Sequence, residues 1–313
     1  MKYRSLGKSG LRVSEIGFGC WGIGGTHGES VAYGETNDSE SLRALRKAYD
    51  LGVNFFDTAE LYAVPMKPET RGKTSQCIGE WFLKNKKRDK IILADKVVGA
   101  SSMDWLRPNG EKTSLNKKQI EFACNRSLKD LKTDYIDLYQ VHWTDRPSGA
   151  FSGKLEYEHK DTNDFISIEE TLDALNNLVK VGKVRHIGIS NETAWGASQY
   201  IKLAEQKKNS RIVSIQNAYN FLNRSFEVGL SEIAIREKVG AMSGQEKPET
   251  LGRDEMVAIL LQKKASEELI SEINEILETA DAHEFAGDAS SNLPLQDWQV
   301  RIKRLLKNIR SLA

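Results

Sequence analysis

Four residues suited to handling protons stand where short apolar runs end. Val53-Asn-Phe-Phe-Asp57-Thr-Ala-Glu-Leu-Tyr62 sets a carboxylate and a phenol five residues apart, just past a buried run. Lys90-Ile-Ile-Leu-Ala-Asp-Lys96 delivers an ammonium to the end of a second run, and Thr133-Asp-Tyr-Ile-Asp-Leu-Tyr-Gln-Val-His142-Trp143 delivers an imidazole to the end of a third. Reduction of a carbonyl by hydride leaves negative charge on oxygen, so a proton donor must sit beside it. A free tyrosine, with a pKa of about 10, is a poor donor at neutral pH. A neighbouring ammonium favours the phenolate and brings that pKa toward the working range. Lys96 is expected to do this for Tyr62, with Asp57 holding and partly neutralising Lys96. His142 would aim a ring N–H at the carbonyl oxygen. Hydride chemistry also requires a cofactor.

Each of these residues alone has an ordinary structural explanation: a loop aromatic, a helix cap, a solvated lysine, a satisfied core histidine. The functional reading rests on all four occupying equivalent places in a repeating pattern. Lys2–Leu6 and Leu11–Ile16 read as a small hairpin, and Ile16–Trp21 as a short buried strand entering the glycine-rich loop 22–28. Asp38 is placed to cap a helix that Gly52 closes. Strands are then expected at 53–56, 91–94, 136–141, 184–189 and 212–216. Helices are expected at 74–83, 114–131, 168–181, 195–205 and 225–238. This makes six β/α units, the signature of a parallel sheet.

A doubly wound sheet would show a Gly-x-Gly-x-x-Gly turn opening a helix after the first strand. Gly17-Phe-Gly19 runs instead into Trp21 and Gly22, with no helix immediately behind it. Chemistry-bearing residues end strand after strand: Asp57, Lys96, His142, Ser190-Asn191 and Gln216. That distribution points to an α/β barrel of the TIM (β/α)8 type, with its site at the carboxyl ends of the strands. Two loops, 63–73 and the polar insertion 145–165, are expected to cover the mouth as substrate lids.

Composition narrows the function classes. Lys plus Arg number 45 against 44 Asp plus Glu, so no net field favours nucleic acid or an anionic membrane. Cys20, Cys77 and Cys124 are odd in number and scattered, which argues against a disulfide framework or zinc site and for a reducing cytoplasm. No run approaches the ~18 apolar residues of a membrane span. A small-molecule ligand or a protein partner fits this balance.

Several long stretches resemble the aldo-keto reductase family, in its branch of Tas-like reductases and potassium channel β subunits. They are Tyr3-Arg-Ser-Leu-Gly-Lys-Ser-Gly-Leu-Arg-Val-Ser, Phe55-Phe-Asp-Thr-Ala-Glu-Leu-Tyr62, Ser127 through His142, Gly182-Lys-Val-Arg-His-Ile-Gly-Ile-Ser-Asn191 and Ile215 through Arg224. The resemblance covers residues 1 to about 240. It implies a TIM barrel that binds NADP(H) without a dinucleotide-binding turn, and a small carbonyl substrate. Tyr62 then matches the catalytic acid, with Asp57, Lys96 and His142 completing its tetrad. Ser190, Asn191 and Gln216 match residues that grip the nicotinamide carboxamide; Trp21 and Asp57 also fall at cofactor-side positions. Asp95 stands where the family usually has a neutral residue. Being next to Lys96 on a strand, it should face the other way and do little harm.

The resemblance stops near Gly240. The family continues with a seventh strand whose aromatic stacks on the nicotinamide, a loop that clamps the pyrophosphate, and an eighth strand. Ala241-Met-Ser-Gly-Gln-Glu-Lys-Pro-Glu-Thr-Leu-Gly carries neither motif. The expected organisation is therefore a barrel over 1–240 that is short of closure, a linker over 241–253 and a helical tail over 254–313. Met256–Leu261 is the sole candidate for a seventh strand. The tail would plug the open sheet, or recruit a second copy or a protein partner. Two functions compete: an NADP(H)-dependent carbonyl reductase, and an impaired relative acting as a binding or scaffold module through its tail.

Overall fold

The computed structural model describes residues 1–24, 38–148, 159, 164–220, 223–242, 266–268 and 271–272. The chain divides into two compact units: Met1–Ala218 with Phe226–Lys247, and Tyr219–Ser225 with Pro248–Ala313. In the second unit, residues 267–268 and 271–272 are helical. The expectations for the glycine-rich loop beyond Gly24, for Met256–Leu261 and for most of the tail lie outside the described residues.

The first unit opens with an antiparallel hairpin, β1 (Tyr3–Ser5) and β2 (Arg12–Ser14), as expected. A parallel sheet follows, with β3 (Phe18–Gly19), β4 (Phe55–Asp57), β5 (Ile92–Val97), β6 (Ile136–Val141), β7 (Val184–Ser190), β8 (Ile212–Gln216) and β9 (Gly240–Ala241). These strands lie side by side in chain order. Among the described residues the sheet is a curled, unclosed barrel, with seven strands rather than the six expected, because Gly240–Ala241 pairs in parallel with Ser214 and Ile215. Two residues of Gly-Ala carry no periodicity, so only the pairing with β8 identifies them as a strand.

Between the strands run α1 (Asp38–Asp50), α2 (Lys73–Asn85), α3 (Lys117–Asp130), α4 (Ile168–Lys180), α5 (Ala194–Lys207) and α6 (Leu230–Glu237). The helix starts are set by local chemistry. Asn116, Ser167 and Thr193 each accept a hydrogen bond from the amide three residues on, using a side-chain oxygen to satisfy a first-turn donor. Asp38 is the first residue of α1 rather than its cap. Residues 225–227 form a separate 3-10 turn, so α6 begins later than helical spacing suggested.

Strands β5 and β6 are buried almost throughout, as a parallel sheet covered on both faces requires. The register sets Gly19 against Asp57, Lys96 against Gln140, Gln140 against Gly188 and Ser190 against Gln216. The carboxyl ends of successive strands are therefore level. Among the described residues no helix is long and apolar enough to cross a membrane.

Candidate active site

The pleat of β5 decides where the lysine goes. Residues 95 and 96 point to opposite faces, and Lys96 takes the inner one with its side chain 2% exposed. Its ammonium donates to Asp57 Oδ2 at 2.7 Å and to the Thr58 carbonyl at 2.9 Å. It also lies 5.3 Å from the centre of the Tyr62 ring. Burial, the largest influence, pulls the Lys96 pKa down; Asp57, then Tyr62 and Asp95, more than offset it and leave the value raised. The lysine is charged at every working pH.

Tyr62 stands on the turn after β4, and its hydroxyl is 3.5 Å from His142 Nε2, with the two rings edge to face. His142 follows β6 directly and is anchored by its own amide, which donates to the Val97 carbonyl at 2.8 Å. Burial, assisted by the Lys96 charge, holds its pKa well below the ordinary histidine value. The imidazole is neutral near pH 7. Its Nδ1 is buried without a partner. An orphaned buried N–H is costlier than an orphaned lone pair, so the surroundings assign the proton to Nε2, on the Tyr62 side.

One expectation is reversed here. Lys96 does pull the Tyr62 pKa down, but burial pushes it up by more, and the net shift is upward. A short-range ammonium was legible in the sequence, whereas the desolvation that outweighs it was not. Tyr62 keeps its proton across the neutral range.

Ser190, Asn191 and Gln216 meet at the ends of β7 and β8. Ser190 Oγ donates to the Gln216 carbonyl at 2.6 Å, and Asn191 Nδ2 to the His142 carbonyl at 2.9 Å. Gln216 Nε2 donates to Asp57 Oδ2 at 3.1 Å, which joins these residues to the lysine pair. Asn191 has the left-handed φ of 49°, a conformation asparagine tolerates better than most residues. Trp21 lies on the turn after β3, 41% exposed, and its carbonyl accepts the Val64 amide at 3.0 Å. Loop 63–73 is thereby tied to that turn. The expected lid 145–165 is described only at its ends. There Asp145 accepts from the amides of Leu115 and Ile166.

Sequence reasoning missed Gln140. It is fully buried on β6, donates to Gln216 Oε1 at 3.1 Å and accepts from Ser214 Oγ at 3.3 Å. Gly188 makes room for it: a Cβ there would fall 2.3 Å from Ser214 Oγ and 3.2 Å from Gln140 Cγ. A glutamine inside an apolar strand, opposite a glycine, was the available signal. Asp95 is the other surprise. It does face away from the site, yet burial pushes its pKa up to about 7, more than the neighbouring Ser127 hydroxyl and Lys96 amide pull it down. Neither carboxyl oxygen makes a well-formed hydrogen bond.

A curled parallel sheet whose strand ends bring Asp57, Lys96, Tyr62 and His142 together at one rim has the architecture of an α/β barrel of the TIM type. Residues 15–243 match the sequence model of the Aldo/keto reductase family. The chain belongs to that family. It is 43% identical over 242 residues to protein tas of Escherichia coli, a match covering 76% of this chain and 66% of that protein. Over 241 residues it is 30% identical to norsolorinic acid reductase B of Aspergillus parasiticus, covering 76% of this chain and 56% of that one. Among solved structures it resembles a thermostable aldo-keto reductase in complex with the inhibitor epalrestat. The TM-score is 0.57 and the identity 25%, with 89% of this chain and 80% of that one covered. The match thus spans under two thirds of the length of these two curated relatives.

Proposed function

We propose that this chain reduces aldehydes or ketones to alcohols with NADPH, and that Tyr62 provides the proton. The observation that carries the reading is the meeting of two part-buried pairs at one rim, Lys96 with Asp57 and Tyr62 with His142. A reductase name among the relatives supports the same direction. Ser190, Asn191 and Gln216 offer a clustered set of hydroxyl and amide groups suited to a carboxamide, and Asp57 Oδ1, buried without a partner, is an acceptor still to be used. These residues would hold the nicotinamide end of the cofactor, whose contribution when bound is the hydride.

The chain's own groups do the rest. Tyr62 holds its proton at neutral pH and releases it to the carbonyl oxygen as charge develops there. The phenolate left behind lies beside the Lys96 ammonium, which stabilises it, while Asp57 keeps that ammonium fixed and partly neutralised. Neutral His142 directs its Nε2–H at the same oxygen and orients it. The three cysteines, all buried free thiols, support a reducing, cytoplasmic setting.

The test combines tryptophan-quenching titration with NADPH and turnover of a panel of aldehydes. Tyr62→Phe is expected to lower kcat/KM by about 10²–10⁴-fold while leaving NADPH affinity within a few-fold. Full activity in that variant, or no NADPH binding by the cooperatively folded chain, would overturn the proposal. The pH profile follows from the shifts. Tyr62 must be protonated and its pKa is raised; His142 must be neutral and its pKa is lowered. Between the ordinary values of about 6.5 and about 10, kcat/KM should be flat.

A further inference from the structure

Beyond the carboxyl ends of β6, β7 and β8, three side chains tie the loops to one another: Arg146, Glu192 and Asn217. The Glu192 side chain is 2% exposed and that of Arg146 13%. Arg146 Nη1 donates to Glu192 Oε2 at 3.0 Å and Nη2 donates to Oε1, so the pair is a two-pronged fork. Nη2 also donates to Thr193 Oγ1 at 3.0 Å, and Glu192 Oε1 accepts the Thr193 amide at 2.6 Å. Gly196, in the first turn of α5, leaves room for the fork: a Cβ there would collide with Glu192 Oε1 and with Arg146 Nη2. The loop after β6 is thereby fastened to the turn after β7.

Asn217 grips the same turn from β8, through the backbone. Its Oδ1 accepts the Glu192 amide at 3.1 Å, and its Nδ2 donates to the Glu192 carbonyl at 2.8 Å. Just before it, the Asn191 amide donates to the Gln216 carbonyl at 3.0 Å. The side-chain amide of Asn217 thus imitates a peptide group and carries the ladder past its last strand pair, Ser190 with Gln216. What these ties enclose is Asn191, whose left-handed φ of 49° is unfavourable for a residue with a side chain and persists where its neighbours hold it. Buried ion pairs are poor evidence of stabilisation, since well-packed apolar residues do as well. A bidentate guanidinium–carboxylate fork does fix the geometry between two loops, and lysine cannot reproduce it.

We infer that Arg146, Glu192 and Asn217 are positioning residues that hold the turn at Asn191, and with it the Ser190–Asn191–Gln216 group, in the arrangement that takes the nicotinamide carboxamide. The cofactor half of the inference rests on the reductase reading above. The test is calorimetric titration of the full chain with NADPH and with phospho-ADP-ribose, which is NADPH without its nicotinamide. The proteins are wild type, Arg146→Lys, Glu192→Gln, the double variant of these two, and Asn217→Ala. Arg146→Lys keeps the charge and Glu192→Gln keeps the shape, while Asn217→Ala cuts the other tie and keeps the question measurable if the fork variants do not fold. In each cooperatively melting variant the Kd for NADPH should rise about tenfold, the loss expected for one hydrogen bond to a charged group. The affinity for phospho-ADP-ribose should stay at the wild-type value. The double variant should bind NADPH about as well as the weaker single one, because both changes break one fork. Unchanged NADPH affinity, equal losses on both ligands, or additive losses in the double variant would overturn the inference while leaving the reductase reading intact. A folded wild-type chain that binds no NADPH would overturn both.

Discussion

Asp95 and Lys96 are consecutive residues on one strand, both buried, and they meet opposite fates. Lys96 points inward, where Asp57, the Thr58 carbonyl and Tyr62 surround it, and it stays charged. Asp95 points outward toward Ser127 and Cys124 of α3, finds no well-formed partner, and is driven toward its neutral form. Burial is shared, so burial alone does not decide whether a charge survives inside this protein. The partners on the facing strand or helix decide it.

The comparison can be broken most forcefully at Lys96. Lys96→Met removes the ammonium and leaves Asp57 an uncompensated carboxylate. Activity should drop by about 10²–10⁴-fold in kcat/KM, and stability by about 3–5 kcal/mol. Thermal melting with kinetics would check both; unaltered turnover would mean the inner pair is decorative.

Asp95→Asn should act in the opposite sense. Below the ordinary carboxyl pKa of about 4 both folded and unfolded chains hold the Asp95 proton, and above about 7 neither does. Between them only the folded chain holds it, so stability is lost as pH rises through that window, by at most on the order of 4 kcal/mol. The asparagine variant should melt several degrees higher than wild type at pH 8 and show a shallower pH slope. Identical slopes would mean that Asp95 titrates normally.

A finer contrast lies on the inner face itself. Gln140→Leu frees Gln216 from its neighbour without touching the ion pair. The lost hydrogen bond corresponds to about 1 kcal/mol, so NADPH affinity should weaken about fivefold by fluorescence titration. The smallest effect belongs to the exposed i,i+4 pair Glu232–Arg236 on α6. Arg236→Ala should change stability by no more than about 0.5 kcal/mol in denaturant unfolding. A larger loss there would undo the distinction between paired charges inside and outside.

Much of the frame was legible without coordinates. Alternating apolar runs and amphipathic helices sufficed for the parallel sheet, because backbone hydrogen bonding and side-chain periodicity are local properties. The cap residues Asn116, Ser167 and Thr193 act on amides three residues away for the same reason. The repeated placement of Asp57, Lys96, His142, Ser190 and Gln216 at strand ends also identified the rim where they meet. Strand β9 escaped notice because Gly-Ala has no pattern of its own and becomes a strand only by pairing with Ser214 and Ile215.

The sequence by itself thus determined the order of elements, the parallel architecture and which residue types share one rim. The tertiary structure alone decided how the buried groups are paired: that burial outweighs Lys96 at Tyr62, that Asp95 makes no well-formed hydrogen bond, and that Gln140 reaches Gln216 past Gly188. It also decided that Glu60 finds Arg107, 47 positions along the chain. Desolvation and pairing depend on what folds against a side chain from distant parts of the chain, and neighbouring letters do not encode that.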